Sequence, residues 1–219
     1  MNLLSQVKFL IRKEIVLEWR SKYAFNGILL YVISTVFVCF LAFRSIQPIT
    51  WNALFWIIML FASVNAITKS FVQENRGRQL YYYTIASPQA IIISKIIYNI
   101  LLMLLLSIIA LVFYALVFKN PVGDPVFYLL SVLLGSISFA TVFTMISGIA
   151  SKGQNSGALM AILSFPVIIP LLIVLIKLSK NAMDGLDRSV SLNEIFVLGA
   201  INIIVIAVSL ILFPYLWRE

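Results

Sequence analysis

Hydrophobic and polar positions separate in this chain on the scale of whole helices. Six stretches carry no Asp, Glu, Lys or Arg: Ala24 to Phe43, Trp51 to Thr68, Ile96 to Phe118, Val126 to Ala150, Ala158 to Ile176 and Ile195 to Trp217. About 20 apolar residues of α-helix, rising 1.5 Å each, cross the roughly 30 Å of bilayer hydrocarbon. Each run therefore predicts one membrane-spanning helix, and the set predicts an all-α integral membrane protein with six transmembrane helices. The first run exceeds the roughly 7 to 15 residues of a signal peptide's apolar core, which predicts an uncleaved first span. Residues 1–219 fit a single transmembrane domain.

Two runs have internal features. The fourth contains Ser131, Gly135, Ser138, Thr144 and Gly148, small residues partly four apart that let neighbouring helices approach closely. The fifth contains Pro166 and Pro170, each of which removes a backbone hydrogen bond and crowds the carbonyl four residues earlier. A kinked or broken helix is expected there, either as a hinge or as a bent packing helix.

Three polar stretches lie between and before the runs. At the N-terminus, Leu3, Leu4, Val7, Leu10, Ile11 and Ile15 recur at helical spacing, with Lys8, Arg12 and Lys13 between them and Trp19 and Arg20 near the boundary. This predicts an amphipathic helix in the membrane interface, basic side chains toward anionic headgroups. A plain anchor and a docking element both fit. The second stretch, Lys69 to Lys95, is the longest interruption. Gln73, Glu74, Asn75, Arg76 and Arg78 surround Gly77, an aromatic cluster follows at Leu80 to Tyr83, and Ser87-Pro88 restarts a helix into the third span. A short helix along the membrane surface would show its charges to a soluble protein; a solvated loop that only sets topology has the same pattern. The third, Lys177 to Glu194, is expected to be a solvated outer connection, looped or shortly amphipathic.

Composition agrees with the pattern: 62% of residues are hydrophobic and 11% charged, against about 25% charged in soluble domains. The net charge of +8 could suggest nucleic acid, but the basic residues are scattered through the connections rather than gathered on one face, so no nucleic-acid partner is expected. They report orientation instead. Eleven of the sixteen Lys and Arg residues fall on the side of the termini and the Lys69 to Lys95 loop, which places that side in the cytoplasm.

The chemistry on offer is narrow. The chain has no histidine, and its single cysteine, Cys39, lies in an apolar run, so neither a thiolate metal cluster nor an intramolecular disulfide can form. The spans hold no ionisable relay of the kind proton-driven transporters use. Serines such as Ser107 and Ser164 have no base in the same apolar layer, and no GxxxxGK[ST] cradle for nucleotide phosphates is present. No catalytic, cofactor or metal site is expected, and energy for any uphill step has to come from another polypeptide.

The blocks LIRKEIVLEWRSKYAFNGILLY (Leu10 to Tyr31) and ITKSFVQENRGRQLYYYTIASPQAIIISKIIYN (Ile67 to Asn99), with the length and the six-span plan, resemble the CcmB family. These are the haem exporter B proteins, permease subunits of the bacterial cytochrome c maturation system. The resemblance implies a bacterial inner-membrane permease that works with a separate ATP-binding-cassette ATPase (CcmA-like), a haem-handling membrane protein (CcmC-like) and a small CcmD-like subunit. ATP hydrolysis would then drive release of a haem-loaded CcmE-like chaperone. It also implies that Gln73, Glu74, Asn75, Arg76 and Arg78 sit where such permeases present a coupling helix to the ATPase, with the N-terminal helix beside it. Haem iron is usually held by His, with Cys, Met or Tyr as alternatives; a haem path here would need groups such as Met103, Met145 or Tyr31, so haem is expected to be held by the partners. A scaffold that moves nothing, and a permease for another amphiphile, remain alternatives.

A reporter fused after Glu219 is expected to read as cytoplasmic and one inserted near Gly185 as external. The opposite pattern would overturn the span count.

Overall fold

A computed structural model describes residues 2–21, 23–43, 46–68, 71, 86–153 and 156–216. Among these residues there are seven α-helices and no strand: α1 (Leu3–Ser21), α2 (Tyr23–Ala42), α3 (Pro48–Ile67), α4 (Pro88–Val117), α5 (Pro125–Ala150), α6 (Ser156–Met183) and α7 (Leu192–Leu216). Helices α2 to α7 are long and apolar enough to cross a membrane, in the expected number and order. Three of the starts are set by proline in the first helical turn, where a missing N–H costs nothing. Ser87 and Asp124 cap two of these, accepting from the N–H groups of Ala90 and Phe127.

Helix α5 is the centre. It packs against α3, α4, α6 and α7, and 67% of its span is buried, against 17–44% in the other five. Lipid tails are as apolar as leucine, so this arrangement is held by shape and hydrogen bonding rather than by exclusion of water. Gly135 supplies shape: a methyl group there would collide with the ring of Trp56, a fully buried side chain on α3. The small residues expected to bring backbones together thus also make room for an indole. The Trp56 Nε1–H donates to Ser179 Oγ on α6 at 2.8 Å, fixing the ring in that slot.

Hydrogen bonds complete the assembly. Asn52 on α3 donates to the carbonyl of Ile176 on α6 (3.2 Å) and accepts from the Tyr128 hydroxyl on α5 (3.1 Å). Asn99 on α4 donates to Thr144 on α5 (2.8 Å). Asn202 on α7 donates to Ser138 and accepts from Thr141, both on α5, at 2.9 Å. Three amides buried in three different spans thus tie their helices to α5.

The region from Lys177 to Glu194 is a solvated connection only in its middle, where residues 184–190 are exposed; its flanks belong to the bundle. Helix α6 continues to Met183, two turns beyond Ile176, and Ser179, Asn181, Ser191 and Glu194 are buried. Lys177 and Lys180 lie on the exposed face of those turns, so their charges do not end the helix; Leu178 and Ala182 on the other face are covered. Gly185, at φ 63°, turns the chain into a 3-10 turn at Arg188–Ser191. Arg188 then closes on Asp124 at 2.9 Å, and Lys177 on Glu194 at 2.7 Å. The Phe127 N–H and then Arg188 hold the Asp124 carboxyl below its ordinary value.

Gly135→Ala is expected to lower stability by about 1–3 kcal/mol through overpacking against Trp56. In thermal unfolding of the detergent-solubilised protein, Gly135→Ala with Trp56→Phe is expected to lose less than the two single variants together. Strict additivity would show that the ring and the glycine are not a matched pair.

Candidate functional site

The N-terminal helix does not stand apart from the bundle. Val7 and Leu10 are buried in a cluster with Phe71, Ala90, Ile91, Ile92, Ile96 and Phe213, separate from the main core. Three polar contacts follow the same line. Gln6 Oε1 accepts from the Ser87 N–H at 3.0 Å, Glu14 meets Lys95 Nζ at 3.1 Å, and Glu18 accepts from the Tyr98 hydroxyl at 3.4 Å. The sequence offset is 81, 81 and 80 residues, so α1 runs parallel to the start of α4, in register over three turns.

Helix α4 spans 30 residues, roughly 45 Å at 1.5 Å per residue, which exceeds the hydrocarbon by about 15 Å. Its surplus lies at the Pro88 end, ahead of the charge-free run from Ile96. There the buried Lys95 is held by Glu14 and lies 5.3 Å from the centroid of the Phe71 ring. Glu14 also pairs with Lys13 at 3.0 Å. Burial pushes the Glu14 carboxyl upward, but the ammonium groups of Lys95 and Lys13 together outweigh it and hold the group below its ordinary value.

The described residues at the two ends of the Lys69 to Lys95 stretch are held by different parts of the bundle. At its start, Ser147 Oγ on α5 lies 3.4 and 3.3 Å from the carbonyls of Ile67 and Thr68, and the Phe71 ring packs on Phe213 of α7 at 5.6 Å. At its end, Ser87 is held by Gln6. Gln73, Glu74, Asn75, Arg76 and Arg78, the residues expected to contact an ATPase, lie outside the described residues.

The remaining predicted residues separate by environment. Lys8, Arg12, Trp19 and Arg20 are exposed on α1, and Lys13 is half-buried beside Glu14. Pro166 and Pro170 both fall inside α6, which is assigned as helix through both, and both lie on its exposed face. Sequence reasoning passed over Glu14, Glu18 and Gln6. A signal was present: residues 7, 10, 14 and 18 form one helical stripe, and two carboxylates on a stripe that begins with Val7 and Leu10 mark a polar partner on the docking face.

A model of the CcmB protein family matches residues 5–215, nearly the whole chain. The chain belongs to the CcmB family. A comparison with curated proteins returns no match. CcmB proteins are transporter permeases rather than catalysts, and the family role is that of the permease in an ATP-binding-cassette system for haem export in cytochrome c maturation. Membership also implies an ATPase partner and haem-handling components. With six apolar helices, this CcmB protein is a multi-pass membrane protein.

Glu14→Gln is expected to cost about 3 kcal/mol or more, because it leaves Lys95 charged and buried without its carboxylate. Joining it to Lys95→Met is expected to recover most of that loss in thermal unfolding. The pH dependence has a definite sign. A carboxyl depressed in the folded protein stabilises it above the unfolded-state value, and that contribution vanishes as pH falls through the folded-state value. The advantage of the wild type over Glu14→Gln should therefore shrink on acidification below the usual carboxylate range.

Proposed function

We propose that the chain is the force-receiving permease subunit of its complex. ATP hydrolysis in a CcmA-like subunit is received at Gln73, Glu74, Asn75, Arg76 and Arg78 and passed into the bundle through the α1–α4 platform. The observation that carries this reading is the anchoring of the contact stretch at both ends. Displacement of the segment acts at one end on α3 and α5 through Ile67, Thr68 and Ser147, and at the other on α1 and α4 through Gln6 and Ser87. A push there is delivered to helices that also hold the central amides. Pro166 and Pro170 give α6 two places where backbone hydrogen bonds are already missing, a suitable position for it to bend.

In this scheme the termini and the contact stretch face the cytoplasm of a bacterium across its inner membrane, as the distribution of Lys and Arg indicates. Haem is held by CcmC-like and CcmE-like partners, with a small CcmD-like subunit beside them, and this chain does mechanical work. The surroundings of the candidate ligands support that division. Met103 has no exposed surface in the core of α4, while Met145 and Tyr31 are half-buried on α5 and α2.

Replacing Glu74, Arg76 and Arg78 together by alanine is expected to leave the protein in the membrane while ATPase capture and cytochrome c output both fall. Unchanged capture and unchanged output would sink the coupling scheme.

A further inference from the structure

Where α1 gives way to α2, a cavity of about 380 Å³ opens between these two helices and α4. That volume lies within the range of small-molecule sites, which are mostly apolar with a few placed polar groups. Leu101 and Leu105 of α4 give it an aliphatic wall, which Tyr98 continues one turn earlier on the same helix, and Glu18 and Trp19 of α1 and Phe25 of α2 also line it. Glu18 is positioned from two helices, accepting from the Phe25 N–H at 2.8 Å and from the Tyr98 hydroxyl at 3.4 Å. The chamber borders the α1–α4 platform at its Glu18–Tyr98 contact.

Three aromatic rings and a carboxylate lining one cavity is a combination suited to an alkylammonium group. Ring faces attract cations, and a carboxylate accepts N–H bonds from them. The aliphatic wall suits a hydrocarbon chain. The setting supplies an amphiphile with both parts: Trp19 is 77% exposed at the end of α1, where the charged helix meets the first apolar span. We infer that this cavity holds an ethanolamine phospholipid, its ammonium against Glu18 among Trp19, Phe25 and Tyr98, and one acyl chain along Leu101 and Leu105. Charge selects against the other candidates. A phosphatidylglycerol headgroup offers no cation to Glu18, and a porphyrin bearing two carboxylates would bring like charge against it. Bound there, the lipid would fill the angle between α1 and α2 and brace the platform from its bilayer side.

The test is native mass spectrometry of the full-length protein released from micelles containing equal amounts of phosphatidylethanolamine and phosphatidylglycerol with identical acyl chains. The wild type is expected to retain the ethanolamine lipid about tenfold over the glycerol lipid. Glu18→Gln should bring that ratio toward one, and Leu105→Trp, which fills the chamber, should remove the preference altogether. Trp19→Ala alters an exposed side chain, leaves Glu18 in place and is expected to lower the ratio several-fold, so the inference stays testable if Glu18→Gln fails to fold. Equal retention of the two lipids by the wild type, a preference for phosphatidylglycerol, or a ratio unmoved by Trp19→Ala and Leu105→Trp would overturn it. Because no ATPase enters this measurement, its failure and failure of the coupling scheme are separate results.

Discussion

Helices in hydrocarbon gain little by exchanging lipid contacts for contacts with one another, so this bundle depends on what lipid cannot supply: close shape and hydrogen-bond partners. Helix α5 provides both. Its glycine at position 135 admits the Trp56 ring, and its Tyr128, Ser138, Thr141 and Thr144 meet amides from α3, α4 and α7. Such bonds contribute only about 0.6 kcal/mol each on average in a membrane. Their value lies in register as much as energy, since an amide turned toward lipid would have no partner at all.

The same constraint explains the platform. A lysine 3% exposed in a helix that enters the bilayer is costly unless paired, and Glu14 meets that need from a different helix. The pair therefore specifies which part of α4 α1 must lie against, and Gln6 and Glu18 repeat the specification one or more turns to either side. An amphipathic helix that could have drifted over the membrane surface is held parallel to α4. That placement sets α1, α3, α4 and α5 around the residues that flank the polar stretch, which is the route along which we propose that work from an ATPase enters the bundle.

Much of this was legible in the residues. The count of spans followed from runs without charge, because a 20-residue apolar run has few stable places other than a bilayer. Pro88 and Ser87 marked the start of α4 through the chemistry of caps. The boundaries failed where a charge was taken as an end. Lys177 falls inside α6 because its side chain is 67% exposed and leaves the helix core undisturbed. The two sequence blocks pointed to the family, which the match over residues 5–215 bears out, but the docking face of α1 did not emerge, since the partners of Glu14 and Glu18 lie about 80 residues away.

Sequence by itself determined the solvent of this protein, the number of its membrane spans and the lack of histidine and of a GxxxxGK[ST] motif, all properties of single segments or of composition. Only the tertiary structure decided which helix is central, which amide meets which hydroxyl, and that Gln6, Glu14 and Glu18 face Ser87, Lys95 and Tyr98. The physical reason is range: hydropathy and capping act within a few residues, whereas pairing across about 80 residues exists only once two helices have been brought side by side.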